Sequence, residues 1–503
     1  MITQNAPALI PVIYLAASIL IALAGMRRKW LVYPLAVFAT AIAFSVAGFN
    51  LFLVLHSGTV SYRFGGWIPP IGIEYVLDPL SAFVAMVVAA VAFAVLIHSR
   101  RSVPLELAGK EAPYYAVLML LLCGFNGIVF TGDFFNLYVF LEIASLAGYG
   151  LVGLGEKRSP VAAFRYLIMG SLGASFYLLG LAFLYMATGS LNMADISRII
   201  PYVSGNPVLF VAVSLMTIGL GIKMAIFPLH GWLPDAYTYA PSTSVAMIAP
   251  LGTKIAAYVI IRMLFYVFGV HYVSRDFPIT TVIGWLSVIG IIYGSIMAMT
   301  QTELKRMLAY SSVAQIGYIG MGIGLASPLG LIGAVLHVLN HAFMIACLFL
   351  VAGNLRARVG HSNISDFNKS YCKKMPWTFA AFTIAALSMI GIPPTAGFFS
   401  KWYLALATID ANNWIFLAVI LISSLLNAVY FFNILERVYL RPAASTVPAT
   451  LSSPTAANPG PQREASLSLL VPTLTLATAI LVLGLFNAVI VKKLILPMLP
   501  VVM

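Results

Sequence analysis

Long uninterrupted apolar runs, separated by short clusters of charge, proline and glycine, set the rhythm of this chain. Residues 1–26, 30–62 and 307–355 contain no Asp, Glu, Lys or Arg. A helix that crosses a bilayer needs about 20 apolar residues, so the last run has room for two. With charge clusters and Pro/Gly turns as punctuation, the pattern predicts about fourteen membrane-spanning helices. They fall near 5–25, 31–55, 76–98, 113–131, 134–153, 161–187, 207–227, 243–268, 278–300, 308–325, 329–352, 376–407, 413–436 and 466–490. The runs are continuous rather than alternating, which excludes a transmembrane β-barrel. The expected fold is therefore an all-α polytopic membrane protein.

Three segments fall outside this rhythm. The first span precedes its positive cluster and lacks an A-x-A pattern, so it reads as a retained helix and not a signal peptide. Residues 57–75 mix β-branched and aromatic residues with Gly-Gly and Pro-Pro, and predict a short external hairpin. Residues 441–464 hold five prolines in 24 positions and almost no large apolar side chain, the composition of a flexible linker.

Composition agrees with a membrane protein. Of 503 residues, 61% are apolar and only 9% charged, against about a quarter charged in soluble chains. The net charge of +13 sits in clusters between spans, which points to topology and not to nucleic acid. Loops after odd-numbered helices hold Arg27, Arg28, Lys29, Arg100, Arg101, Lys110, Lys157, Arg158, Lys305, Arg306, Arg356, Arg358, Lys369, Lys373, Lys374, Arg437, Arg441 and Arg463, 18 in all. The opposite face holds 5: Arg63, Arg198, Arg275, Lys492 and Lys493. The positive-inside rule then places the odd loops in the cytoplasm of a cell membrane, with both termini outside. Loop 228–242 breaks the trend by having no Lys or Arg, and must be held by something other than charge. Cys123, Cys347 and Cys372 are far apart, which argues against a disulfide framework and against iron–sulfur ligation. No cofactor, metal or catalytic centre is expected.

Ionisable residues at membrane depth are costly, by about 2.5–3.5 kcal/mol each on insertion scales, and mark function. Those well inside predicted spans are Glu142, Lys223, Lys254, Arg262, His337, His341 and Lys401. Each has a plainer explanation. Lys254 and Arg262 can snorkel to a headgroup, Glu142 can satisfy a neighbouring helix, and the i, i+4 histidines can hold a metal. For the histidines, a third ligand at suitable spacing is missing. Collectively, opposite-sign and titratable groups on five or six helices at similar depth predict a polar axis.

Two of the lysines lie beside prolines in helices that look interrupted, FPLHGWLPD after Lys223 and GIPPTAGFFSK before Lys401. Broken helices at membrane depth are tolerated where they line a polar cavity. Paired breaks five spans apart, in helices 7 and 12, predict two inverted repeats of helices 4–8 and 9–13. The resulting division is an N-terminal three-helix segment with its hairpin (1–112), a first repeat (113–275), a second repeat (276–440), the linker (441–464) and a C-terminal helix (465–503).

The segments TGDFFNLYVFLEIASL, IKMAIFPLHGWLPDAYTYAPSTSVAMIAPLGTKIAAY, TELKRMLAYSSVAQIGYI and GIPPTAGFFSKW, with YVLDPLSAF before them, resemble the signatures of the proton-pumping antiporter-like subunits. These are found in Mrp cation/proton antiporters, membrane-bound hydrogenases and respiratory complex I. The resemblance runs in order from about residue 70 to 440. It implies a proton relay in which Glu142 and Lys223 form the ion pair of the first half. Lys254 and the His337/His341 pair bridge the halves, and Lys401 ends the second. It also implies other membrane subunits as partners, with protons and Na+ as the ions handled.

Relay chemistry suits these residue types. Lysine titrates near 10.4 in water, burial lowers that by about 3–5 units, and a carboxylate about 4 Å away opposes the shift by about three. Histidine needs little adjustment, and water must bridge the gaps. Longer family members extend well beyond fourteen helices, whereas this chain stops shortly after its last span. Lys401 stands where one complex I subunit typically has Glu. The resemblance therefore ranks the role of the D-type Mrp antiporter subunit first, with a membrane-bound hydrogenase or complex I subunit as the alternative. A non-conducting scaffold predicts loss of relay residues. A single-polypeptide carrier predicts transport by the isolated chain.

Overall fold

The computed structural model describes residues 2–442 and 463–500, with side chains from Asn5 onward. It is nearly all helical. The first six helices are α1 (Ile2–Arg27), α2 (Val32–Ser57), α3 (Pro79–Glu106), α4 (Glu111–Phe130), α5 (Phe134–Gly153) and α6 (Ser159–Thr188). A short α7 (Met193–Val203) follows, then α8 (Pro207–Met224), α9 (Leu233–Tyr239) and α10 (Ser242–Ile261). Next come α11 (Ile279–Met299), α12 (Leu304–Gly324), α13 (Pro328–Val359) and the short α14 (Lys369–Lys374). The last four are α15 (Pro376–Ile390), α16 (Ala396–Asp410), α17 (Trp414–Tyr439) and α18 (Leu467–Leu485). Helix starts carry the expected chemistry: Asp78 forms a capping box with Ser81 on α3, and Asp133 and Ser327 cap α5 and α13.

Among the described residues, twelve helices are long and apolar enough to cross a membrane. The expected fourteen differ from these at two places. The span expected at 308–325 is α12, whose Tyr310, Ser311, Ser312, Gln315 and Tyr318 make it too polar to count, and all five are buried. The span expected at 376–407 is two helices of 15 residues, α15 and α16, each too short alone. The eighth span continues past its expected end as π-helical turns over Arg262–Gly269 and Tyr272–Asp276. Nothing in the apolar pattern announced α7. It buries Met193, Ile196 and Ile200 along one face, the i, i+3, i+7 arrangement of an amphipathic helix.

Packing is graded from rim to centre. About a third or less of the apolar stretches of α1 and α2 is buried, 28% and 33%, whereas α10 with its π extension and α13 are each 94% buried. The outer surface carries Phe38, Leu146, Phe164, Leu421 and Leu425, each more than half exposed, as lipid contact requires. The expected hairpin is present: β1 (Val60–Arg63) pairs antiparallel with β2 (Glu74–Leu77), Val60 opposite Leu77. Of the expected linker, residues 443–462 lie outside the described residues.

Contrary to the expectation from sequence, loop 228–242 is held by charge, that of an acidic residue in the loop itself. Asp235, on α9, accepts from Arg165 at 2.5 Å and Arg306 at 3.4 Å. Trp232 Nε1 donates to Ile222 O, and Lys305 Nζ to Ala240 O at 2.5 Å. Lys305, counted from the sequence among loop residues, lies in the first turn of α12 and is only 2% exposed.

Candidate proton-relay axis

Glu142, Ser145 and Tyr149 recur at three- and four-residue steps on α5 and so share a face. Lys223 reaches that face from the last turn of α8. The helix ends there because Ala225 turns left-handed at φ 62°, and its N–H bonds back to Gly221 O and Ile222 O. The terminal carbonyls favour a cation at this position. Lys223 Nζ donates to Ser145 Oγ at 2.6 Å and Tyr149 Oη at 3.2 Å. Glu142 Oε1 lies 3.9 Å away, an ion pair without a hydrogen bond, and that oxygen has no hydrogen-bond partner among the described residues. The lysine is therefore tethered by hydroxyls, and no hydrogen bond among the described residues fixes the facing carboxylate oxygen.

The second half is built around α13, α15 and α16. Lys401, in the second turn of α16, sends its ammonium back to the carboxyl end of α15, where Met389 O and Ile390 O each accept at 2.9 Å. Ser424 Oγ accepts at 3.4 Å, and the ring of Tyr318 lies 4.9 Å below Nζ. Gly391 makes this geometry possible. Its φ is 95°, and an added Cβ would stand 3.1 Å from Lys401 Cδ. The backbone break beside GIPP thus supplies the carbonyls that replace a carboxylate, and no carboxylate among the described residues pairs with Lys401.

His337 connects the two groups. Its Nδ1 is 2.9 Å from Ser400 Oγ, and its ring centre is 5.4 Å from Tyr318 and 5.9 Å from His341. His337 Nε2 and both nitrogens of His341 are buried without a hydrogen-bond partner among the described residues. Buried polar groups are almost always satisfied, so three such atoms in one place leave room for water or a proton among the partners of these rings. Asn340 Nδ2 donates to Ala396 O at 2.6 Å, fixing α13 against the start of α16.

Lys254 stands between these halves, 2% exposed, on α10, which packs against α13. Its ammonium donates to Ala249 O at 2.8 Å. A cavity of about 40 Å³ separates Lys223 from α10, lined by Ser145, Lys223, Trp232, Tyr237, Gly252 and Ile255 among others. That volume suits water. The structure therefore pairs Glu142 with Lys223 and sets His341, His337, Tyr318 and Lys401 near one another, with no hydrogen bond from His341 to His337 or from His337 to Lys401 among the described residues. It does not join Lys254 to either set by a direct hydrogen bond.

Neither Lys254 nor Arg262 snorkels. Arg262 pairs with Asp78 at 2.8 Å and donates to Tyr258 Oη at 2.7 Å, so it ties the π-helical end of α10 to α3. Sequence reasoning missed Ser145, Tyr149, Tyr318, Ser400 and Ser424. The first two were signalled by helical spacing from Glu142, and Ser400 by adjacency to Lys401. Nothing in the sequence tied Tyr318 or Ser424 to Lys401.

Residues 131–427 match the sequence profile described as NADH:quinone oxidoreductase/Mrp antiporter, transmembrane. The chain belongs to this family. It is 47% identical over 437 residues to NADH-quinone oxidoreductase subunit N of Desulforudis audaxviator, covering 86% of each chain. It is 32% identical over 375 residues to the D subunit of the Na(+)/H(+) antiporter of Alkalihalophilus pseudofirmus, covering 74% of each. The fold superposes on a chain of the Mrp complex from Dietzia sp. DQ12-45-1b with a TM-score of 0.87 and 26% identity, over 98% of this chain and 96% of that one. As a member of the NADH:quinone oxidoreductase/Mrp family, the chain is an antiporter-like, proton-translocating, multi-pass membrane subunit.

Proposed function

We propose that protons move through this subunit along Glu142, Lys223, Lys254, His341, His337 and Lys401. The observation that carries this reading is the Glu142–Lys223 pair, charged groups 3.9 Å apart with the lysine held by Ser145 and Tyr149. At an effective dielectric of 20, that separation is worth about 4 kcal/mol to the protonated lysine. Motion of the Glu142 carboxylate toward or away from Nζ alternately secures and frees the lysine's proton. Water in the cavity beside α10 carries it toward Lys254. The His341–His337 pair passes it to the Ser400–Lys401 end.

In this reading residues 113–275 and 276–440 each form one half-channel, residues 1–112 and 465–503 buttress them, and the 18-arginine-and-lysine face is cytoplasmic. The assembly we favour is a quinone-reducing redox complex, supported by 47% identity to an N-type oxidoreductase subunit across 86% of both chains. This reverses the order given by the sequence resemblance. A Na+/proton antiporter assembly is the second reading, favoured by the D-type antiporter relative and the Mrp superposition. The test is expression with its neighbouring genes, followed by proton uptake in vesicles. Uptake driven by an electron donor and quinone supports the first reading, and uptake driven by a Na+ gradient supports the second. Uptake by the isolated chain alone would contradict both.

A further inference from the structure

On the face rich in basic residues, away from the relay axis, three arginines, two from helices and one from a connecting segment, converge on one cavity. Arg101 comes from the last turns of α3, Arg358 from the end of α13, and Arg463 from the segment that leads into α18. They line a space of about 390 Å³ with Leu105, Ser466 and Leu469. No carboxylate lines it, and none of the three arginines belongs to any ion pair found among the described residues. Glu464, next to Arg463 in the chain, is near enough to Arg358 to offset part of its charge but spends its hydrogen bonds on other groups. Its Oε2 accepts from Trp377 N at 2.9 Å, and its Oε1 from Thr378 Oγ1 at 2.6 Å and Ala465 N at 2.8 Å, so it caps α15. Arg358 Nε is buried with no hydrogen-bond partner among the described residues. Ser466, at the amino end of the 19-residue α18, makes no side-chain cap.

Three like charges gathered around one space repel one another; water and salt screen the exposed Arg101 and Arg463, and an anion among the three relieves the repulsion that remains. Guanidinium groups match phosphate oxygens in bidentate fashion, and the uncapped amino end of α18 adds backbone donors and a favourable dipole. The rim decides which phosphate. Leu105 is 55% exposed and Leu467 75% exposed, so apolar surface flanks the charged space at the helix ends. A free anion has no use for that surface, whereas an amphiphile places its headgroup on the arginines and its chains on the leucines.

We propose that Arg101, Arg358 and Arg463 form a binding site for the phosphate headgroup of an anionic phospholipid, seated between α3, α13 and the start of α18. The site requires no relay chemistry and stands whichever complex the subunit serves.

The test uses the subunit purified with its membrane partners in a neutral detergent and loaded with phosphatidylglycerol. Lipid retained per complex is then counted by mass spectrometry after detergent exchange. The triple variant Arg101→Gln, Arg358→Gln, Arg463→Gln is expected to retain one phosphatidylglycerol fewer per complex than the wild type. The corresponding triple Lys variant should retain most of it, and Arg437→Gln, on the same face, should retain it all. If the triple Gln variant does not assemble, Arg358→Gln alone provides the comparison, with a faster loss of the same lipid. Excess inorganic phosphate should leave the count unchanged. Equal retention by wild type and Gln variants would overturn the proposal. Displacement by inorganic phosphate would overturn the lipid assignment in favour of a free anion.

Discussion

Replacing Glu142 by Gln keeps its volume and removes its charge, so it isolates the ion pair with Lys223. At 3.9 Å and an effective dielectric of 20, the pair energy is about 4 kcal/mol. Glu142 is 27% exposed at its side chain, and halving the energy for solvent screening leaves about 2 kcal/mol. At 1.36 kcal/mol per pKa unit, that is more than a tenfold change in how readily Lys223 gives up its proton. The expected outcome is a loss of at least tenfold in proton uptake by Glu142→Gln vesicles. Lys223→Gln is expected to lose more, because it removes the proton carrier itself. The double variant should be no worse than Lys223→Gln alone, since two groups acting as one unit are not additive. The assay is initial proton uptake, normalised to assembled complex by quantitative blotting. Full activity in either single variant, or independent multiplying losses in the double, would refute the pair as a working unit.

Other substitutions test other parts of the account. Lys401→Arg retains charge but holds its proton at all accessible pH, so its uptake should be nearly as low as that of Lys401→Ala; near-normal uptake would mean that Lys401 does not cycle its proton. Gly391→Ala forces a Cβ onto a backbone at φ 95° and against the Lys401 stem, with an expected cost of about 1–3 kcal/mol, read as a lower melting temperature of the complex together with reduced uptake. Asp78→Asn leaves an oxygen that can accept from both Ser81 and Arg262 but removes the charge that balances Arg262, whose side chain is 11% exposed, and should destabilise by about 1–3 kcal/mol. Asp235→Asn breaks a pair with Arg165, 63% exposed, and should cost about 1 kcal/mol or less in the same melting assay; equal costs for these two aspartates would contradict the assigned burial difference.

Much of this architecture was legible because hydrocarbon imposes a simple rule on sequence: runs of apolar residues, interrupted where the chain turns. The hairpin at Val60–Leu77 and the breaks after Lys223 and before Lys401 followed from proline, glycine and β-branched residues. The rule failed where polarity was internal. Helix α12 is lined with Ser, Gln and Tyr because it lies inside the protein, so its composition understates its burial. Asp235 was overlooked because basic residues alone were counted, whereas its partners Arg165 and Arg306 come from distant helices. The charged members of the axis stood out because each is costly in an apolar run. Hydroxyls such as Ser145, Ser400 and Ser424 are inexpensive in a helix, and their roles depend on neighbours that only the fold brings within 3.4 Å.

The most direct test of the relay is to cut it at its middle. Lys254 is the lysine between the Glu142–Lys223 pair and the histidines, and its hydrogen bond to Ala249 O is one that a glutamine amide can also donate. Lys254→Gln should therefore assemble normally, leave the driving reaction running, and abolish proton uptake in vesicles of the purified complex. Wild-type uptake per assembled Lys254→Gln complex would contradict a path through this axis.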